Sequence, residues 1–453
     1  MSVLVNQDVR RTLFGMAFPL LAGTFSMSAY TLVDTWFVSR LGTLPLAAMG
    51  FTFPVIMLLT CVAGGLGTGV TTLVSHAIGR HDAAGAARIT THGILLIIGV
   101  AVLIALAGYL TIAPVFKRMG ADAETLPFIG QFMGIWYLGA VFMSLPMMGN
   151  GLLISVGDFK TASRFMILGT AVNAVLNPIL IFGLLGLPAL GIRGSALATV
   201  LAQAVSTSWL FLLLYKKHRL LIFAAYPVRE VLASYRKIIG IGFPSILSMI
   251  LMPVSAGVIT TLIARFGSEA VAATGAAGRL EMVAFVIPMA LGISLTPFIS
   301  QNYGANRMDR IREAFAVSSR FALAYGAAVA VLFFCCAPWL ANLFSQDPKV
   351  VEILVAYIRI IAFGYGMMEV HRYTGFVLTG MHKAAFATVI NAIRVLVLLI
   401  PLSYLGLYWG GIHGIFIGRL ATDLLAGSLG LVWIRHLCAD RGLAAGGPES
   451  GSG

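Results

Sequence analysis

The sequence predicts an all-α integral membrane protein of twelve transmembrane helices, arranged as two pseudo-symmetric six-helix lobes. Three observations predict this: apolar windows of membrane-spanning length, loops that alternate in charge, and an internal repeat. Of 453 residues, 59% are hydrophobic and 10% charged, against about 25% charged in an ordinary soluble chain. Mean hydropathy is +0.94. Uncharged runs such as 92–116, 128–157 and 321–345 exceed the roughly 20 residues a bilayer requires. The first apolar segment runs past Tyr30 with no small-residue cleavage site before it, so it is expected to remain as a span.

Charges, Gly/Pro punctuation and helical length place the helices at 12–39, 46–79, 87–116, 122–156, 161–185, 192–217, 231–266, 270–303, 309–342, 349–380, 383–406 and 411–437. Alternate loops are rich in Arg and Lys: Arg10, Arg80, Lys160, Lys217, Arg307 and Lys383 fall on one side, while the other carries few, such as Lys117 and Arg265. Basic loops stay in the cytoplasm, so both termini are expected inside, in the cytoplasmic (inner) membrane. The net charge of +13 is then a topology signal, and no nucleic acid is expected as a partner. The organisation expected is a cytoplasmic N-terminus (1–11), a first lobe (12–217), a basic inter-lobe linker (218–230), a second lobe (231–438) and a Gly/Ser-rich tail (439–453).

The two lobes read as copies. At a constant offset of 225 residues, GTLPLAAMG (42–50) overlies GSEAVAATG (267–275), and Gly67, Thr71, Ser75 and Gly79 meet Gly292, Thr296, Ser300 and Gly304. Later, GIRG (191–194) pairs with GIHG (411–414) at an offset of 220. An even number of helices per copy gives both copies the same orientation, which is a transporter architecture.

Enzyme chemistry finds no support. HExxH and GxxxxGK[ST] are absent, the eight histidines do not cluster with acids, and the four cysteines have neither disulfide nor zinc spacing. No cofactor or resident metal is expected.

The one acid in the otherwise uncharged stretch from Leu13 is Asp34, ~32 Å along the first helix. A carboxylate within a bilayer is a functional site by default. Tyr30 lies one turn before it on the same face. Asn173 and Asn177 share a helical face in NAVLNP, where Pro178 frees the carbonyl of Ala174. Thr199 in GSALAT and Tyr137 add hydroxyls. A carboxylate in a low-dielectric pocket takes up a proton more readily than one in water, and protonation turns an acceptor into a donor. The coupling ion read from this set is therefore a proton; sodium held by Asp34, Asn173, Asn177 and Thr199 is the rival. Glu281 and Arg279 in GRLE, and Glu369 with Arg372 beside it, are secondary candidates, the last pair reading better as a structural ion pair. Arg394 and Asp423 read as a further pair. Met27, Trp136 and Met143 are candidate lining for a cargo pocket.

The stretches VDTWFVSRLGTLPLAAMG, SHAIGRHDAAGA, NAVLNP, GIRGSALAT, AATGAAGRLE and ISQNYGANRMDR, spread over residues 8–438, resemble the multidrug and toxic compound extrusion (MATE) family. The acid of helix 1 with GRLE is similar to its DinF-like branch. That resemblance implies a V-shaped central cavity between the lobes and a monomer in the membrane lipid. It also implies efflux of small amphipathic, often cationic, drugs and dyes in exchange for protons or sodium. It identifies Tyr30, Asp34, Tyr137, Asn173, Asn177 and Thr199 with the family's first-lobe cation site. The sequence departs from the family at Asn177, where many DinF-like members carry Asp, leaving Asp34 as the main titrating group. A flippase of lipid-linked cargo on the same fold is the alternative.

Overall fold

Residue order already limits what can form: backbone polar groups in hydrocarbon must be satisfied within a helix or a closed barrel, and the chain takes the first solution throughout. The computed structural model describes the backbone of residues 3–222, 224 and 226–444, and within these the side chains of all but 3, 28, 30–32, 435 and 437–444. The expected tail from 445 onward, and the side chain of Tyr30, lie outside the described residues. No strand occurs among the described residues.

After a short α1 (Val3–Asn6), the helices are α2 (Val9–Ser39), α3 (Thr43–Gly79), α4 (Ala83–Arg118), α5 (Leu126–Leu138), α6 (Ala140–Ser155), α7 (Phe159–Phe182) and α8 (Ile192–Leu212). There follow α9 (Val228–Ile263), α10 (Ser268–Gly304), α11 (Met308–Phe344), α12 (Pro348–Ile361), α13 (Tyr365–Gly380), α14 (Ala384–Ala392) and α15 (Ile400–Ala444). Nine stretches among the described residues are long and apolar enough to cross a membrane, and the pair α5 and α6, bent by 56°, makes a tenth. One of the nine, Ala384–Ile434, runs for 51 residues, about 77 Å of helix. That is length for two passes, and its backbone breaks at Gly410 and Gly411.

Gly139 stands at the bend, where close packing excludes a side chain. A Cβ there would lie 2.3 Å from Cγ2 of Val200 on α8, so only glycine lets α8 approach the junction. At Gly364, between α12 and α13, a Cβ would lie 3.2 Å from Leu420, the same crossing in the second half of the chain. Side-chain caps close several helix starts: Asp82 accepts from the amide of Gly85, Asp158 from Thr161 and Asp347 from Lys349.

Two compact units emerge. Of the described residues, one comprises those up to Gln7 with those from Phe14 to Ile246, the other Asp8–Leu13 with those from Leu247 onward. The division falls inside α9, beyond the basic 218–230 connection. Backbone conformation repeats between the halves independently of side chains. Gly42 and Gly267, which open α3 and α10, have φ of 109° and 99°. Gly191 and Gly411 share φ 57°, with ψ of −131° and −134°. These residues take the left-handed side of the map that favours glycine, at the two offsets read from sequence.

Asp158 does double duty. Besides capping α7, its carboxylate meets Lys217 Nζ at 2.5 Å and His218 Nε2 at 3.2 Å. Burial alone would raise its pKa, but hydrogen bonds from Lys217 and Thr161 outweigh burial and hold the carboxyl below its ordinary range. A depressed carboxyl stabilises the fold above its unfolded-state pKa, and the contribution fades as pH falls through the folded value. Asp158→Ala is expected to lower stability by about 1 kcal/mol at neutral pH, a gap to wild type that narrows in acid; thermal unfolding in detergent across pH checks this.

Candidate functional site

The site is assembled in the first unit from α2, α7 and α8. Gly194, one turn into α8, would place a Cβ 2.4 Å from the carbonyl oxygen of Leu180 on α7. Its lack of a side chain lets the two helices close, which carries the next residue, Ser195, to α2. Asp34 Oδ1 accepts from Ser195 Oγ at 2.9 Å and from Asn177 Nδ2 at 3.0 Å. The second hydrogen of the Asn177 amide goes to Asn173 Oδ1 at 3.0 Å, and Asn173 Nδ2 donates to Thr199 Oγ1 at 3.2 Å. Four of the sequence-predicted residues thus form one relay, Asp34, Asn177, Asn173 and Thr199, crossing three helices. All are buried, Asp34 at 7% exposure and Asn177 at 0%.

Two properties set the chemistry of this relay. Among the described residues no cationic side chain pairs with Asp34, whose hydrogen-bond partners, Asn177 and Ser195, are neutral donors. Asn177 Oδ1 is buried without a hydrogen-bond partner, a cost of about 1–3 kcal/mol.

The other candidates are placed elsewhere. Tyr137 is buried, with Tyr137 against Gly108 and edge-on to Trp136 at 5.9 Å. It belongs to an apolar cluster with Phe116, Ile129 and Met133, and no hydrogen bond joins it to Asp34 among the described residues. Trp136 and Met143 line a cavity of about 70 Å³ walled by α3, α4, α5 and α6. That is room for little beyond water, against roughly 300 Å³ or more for a drug-sized ligand. Met27 lies outside this lining and is exposed.

In the second unit, Glu281 on α10 accepts from Arg419 Nη2 at 2.8 and 2.9 Å through its two oxygens and from Tyr357 Oη at 2.8 Å, with Tyr365 Oη at 3.4 Å. Arg419 also bonds Tyr357. Glu369 is buried and 3.1 Å from Arg372 Nη1, and Arg372 stacks over Phe285. Arg394 Nη2 meets Asp423 Oδ1 at 2.7 Å. His371 Nε2 lies 3.1 Å from Asn391 Oδ1, and Asn391 donates to Ser248 Oγ at 2.7 Å. Arg279 is exposed. Among the described residues there is no group of three His, Cys, Asp or Glu that could hold a metal.

Sequence reading did not single out Ser195 or Arg419. Ser195 is four residues before Thr199, on the same face of the helix, and that spacing was the available signal. Beside Gly194 it reads as a small packing residue. Arg419 had the signal of any charge in a span, and its match to Thr199 at the 220-residue offset.

The MatE family model matches residues 19–179 and 244–405. A FAD transporter of Shewanella oneidensis is 36% identical over 437 residues, 96% of each chain. A probable multidrug resistance protein, YoeA of Bacillus subtilis, is 26% identical over 77% of this chain and 76% of its own. The crystal structure of a mutant of the Vibrio cholerae MATE transporter VcmN superposes with a TM-score of 0.89 at 28% identity, covering 96% of this chain and 97% of that one.

Ser195→Ala removes one of the two donors to Asp34 and is expected to cost about 1–3 kcal/mol. In an Asp34→Asn background the cost should shrink, because the shared acceptor has changed. A double-mutant cycle by thermal unfolding reads this coupling, which additive losses would exclude.

Proposed function

Because the chain belongs to the MatE family, we propose that it is a secondary antiporter of the cytoplasmic membrane, acting as a monomer with both termini inside. It expels an amphipathic cargo while a coupling cation enters by way of Asp34. The observation that carries this reading is the buried carboxylate met by neutral donors: its charge is left to be neutralised by an ion that comes and goes.

A proton suits the relay. With Asp34 ionised, the amide of Asn177 donates to it and to Asn173. A proton on Asp34 makes that carboxyl a donor, and Asn177 then presents its oxygen instead by turning its amide over. That oxygen faces Asn173, which must turn in the same sense, offering its amide hydrogen to Asn177 and its oxygen to the hydroxyl of Thr199. The number of bonds is kept while their direction reverses, and the unpartnered position at Asn177 passes from its oxygen to its amide nitrogen. Protonation at α2 is thereby communicated through α7 to α8. Sodium would have to draw oxygens from the same four residues, with one formal negative charge to balance it.

For the cargo, sequence identity is the guide. The relative named a FAD transporter stands at 36% over nearly the whole chain, the one named a probable multidrug resistance protein at 26% over three quarters. We take a flavin dinucleotide as the cargo. It is flat and amphipathic but anionic, which departs from the cationic drugs implied by family resemblance. Export of drugs and dyes is the second reading, favoured by the names of the more distant relatives.

The test is transport in proteoliposomes under an imposed proton or sodium gradient, with FAD and ethidium as separate probes, for wild type and Asp34→Asn. FAD movement driven by protons and lost in Asp34→Asn is the expected result. Ethidium moving in place of FAD selects the drug reading, and a sodium requirement replaces the proton. Transport unchanged in Asp34→Asn would overturn the assignment of Asp34.

A further inference from the structure

The second unit reproduces the backbone of the coupling site without its ligands. Gly194 abuts the carbonyl of Leu180, and Gly414 abuts that of Gly406, so the crossing of α7 with α8 recurs between the two halves of α15. With Gly191 and Gly411 superposable in φ and ψ, positions can be equated. At the offsets of 225 and 220, Asp34 corresponds to Ile259, Ser195 to Ile415 and Thr199 to Arg419. One carboxylate and two hydroxyls are replaced by two aliphatic side chains and a guanidinium.

We propose that Arg419 is a resident cation: a positive charge tethered to the chain that neutralises Glu281 permanently, so that the second unit exchanges no coupling ion. Both Glu281 oxygens are within 2.9 Å of Arg419 Nη2, and Tyr357 donates to the same carboxylate. One nitrogen, Nη2, serves both carboxylate oxygens while Nη1 bonds Tyr357, a charge-assisted network that fixes the guanidinium. The pair is largely enclosed, at 19% and 15% side-chain exposure, where loss of one partner leaves the other as an uncompensated buried charge. The contrast with the first unit is direct: a carboxylate with neutral donors there, a carboxylate with a built-in cation here. Resting on Asp34 as the coupling group, the inference sets one exchangeable cation per transport cycle, whatever the cargo. It also makes Glu281 with Tyr357 and Tyr365 a latent cation site that Arg419 fills.

The experiment is thermal unfolding of the purified full-length protein in detergent, at constant ionic strength, with choline replaced stepwise by sodium or methylguanidinium. Asp34→Asn silences the first unit, so the readout concerns the second alone, and failure of Asp34 coupling would show in transport instead. The parent Asp34→Asn is expected to melt at the same temperature in all three salts. Adding Arg419→Ala should lower the melting temperature in choline, and methylguanidinium should restore it with a saturable concentration dependence. Adding Glu281→Gln as well should abolish that rescue. A sodium-dependent rise in the Asp34→Asn parent that disappears with Glu281→Gln would overturn the proposal, since Glu281 would then exchange a mobile ion. A folded Arg419→Ala variant indifferent to methylguanidinium would also overturn it. If that variant does not fold, the comparison of Asp34→Asn with Asp34→Asn/Glu281→Gln decides alone.

Discussion

A charge held within a membrane span must be met by something, because hydrocarbon offers no solvation and even lenient insertion scales set the cost at about 2.5–3.5 kcal/mol. The protein meets this constraint in two ways. In the second unit, Glu281, Glu369 and Asp423 each face an arginine, at 2.8, 3.1 and 2.7 Å. In the first, Asp34 faces an amide and a hydroxyl. Paired charges of the first kind are settled at folding and are expensive to separate. A carboxylate of the second kind keeps an unsettled account with protons, which is what a coupling group requires.

The same backbone supports both solutions. The helix-opening glycines Gly42 and Gly267 hold matching dihedral angles, as do Gly191 before α8 and Gly411 at the break in α15, and the packing of Gly194 recurs at Gly414. Helix placement is thus fixed by where side chains are absent, while the chemistry at each crossing is free to differ. That division explains how the two halves hold different charged groups on one architecture.

The fold was legible from sequence because its signals are long: apolar windows of twenty or more residues, and a repeat visible at a fixed offset. Its interruptions were less so. The division between units falls within α9, where no change of composition marks it. At the site, Asn173, Asn177 and Thr199 could be read because each is polar within an apolar helix at helical spacing from another. Ser195 was not read, since a serine beside a glycine suits close packing equally well. Tyr137 illustrates the converse. A tyrosine in a span has both a ring and a hydroxyl, sequence cannot say which is being used, and in the structure the ring packs in an apolar cluster.

The small cavity beside Trp136 and Met143 has a mechanical meaning as well as a negative one for cargo. Close-packed interiors are stiff because any sliding of one helix past another drives atoms into overlap. A partly open cavity of about 70 Å³, mostly apolar but lined also by Thr60 and Ser144, relaxes that restriction locally. It lies beside the Gly139 bend, so the free volume and the weak point in the backbone coincide. The helices that wall it, α3 to α6, therefore have room to shift against one another at the point where the backbone already bends.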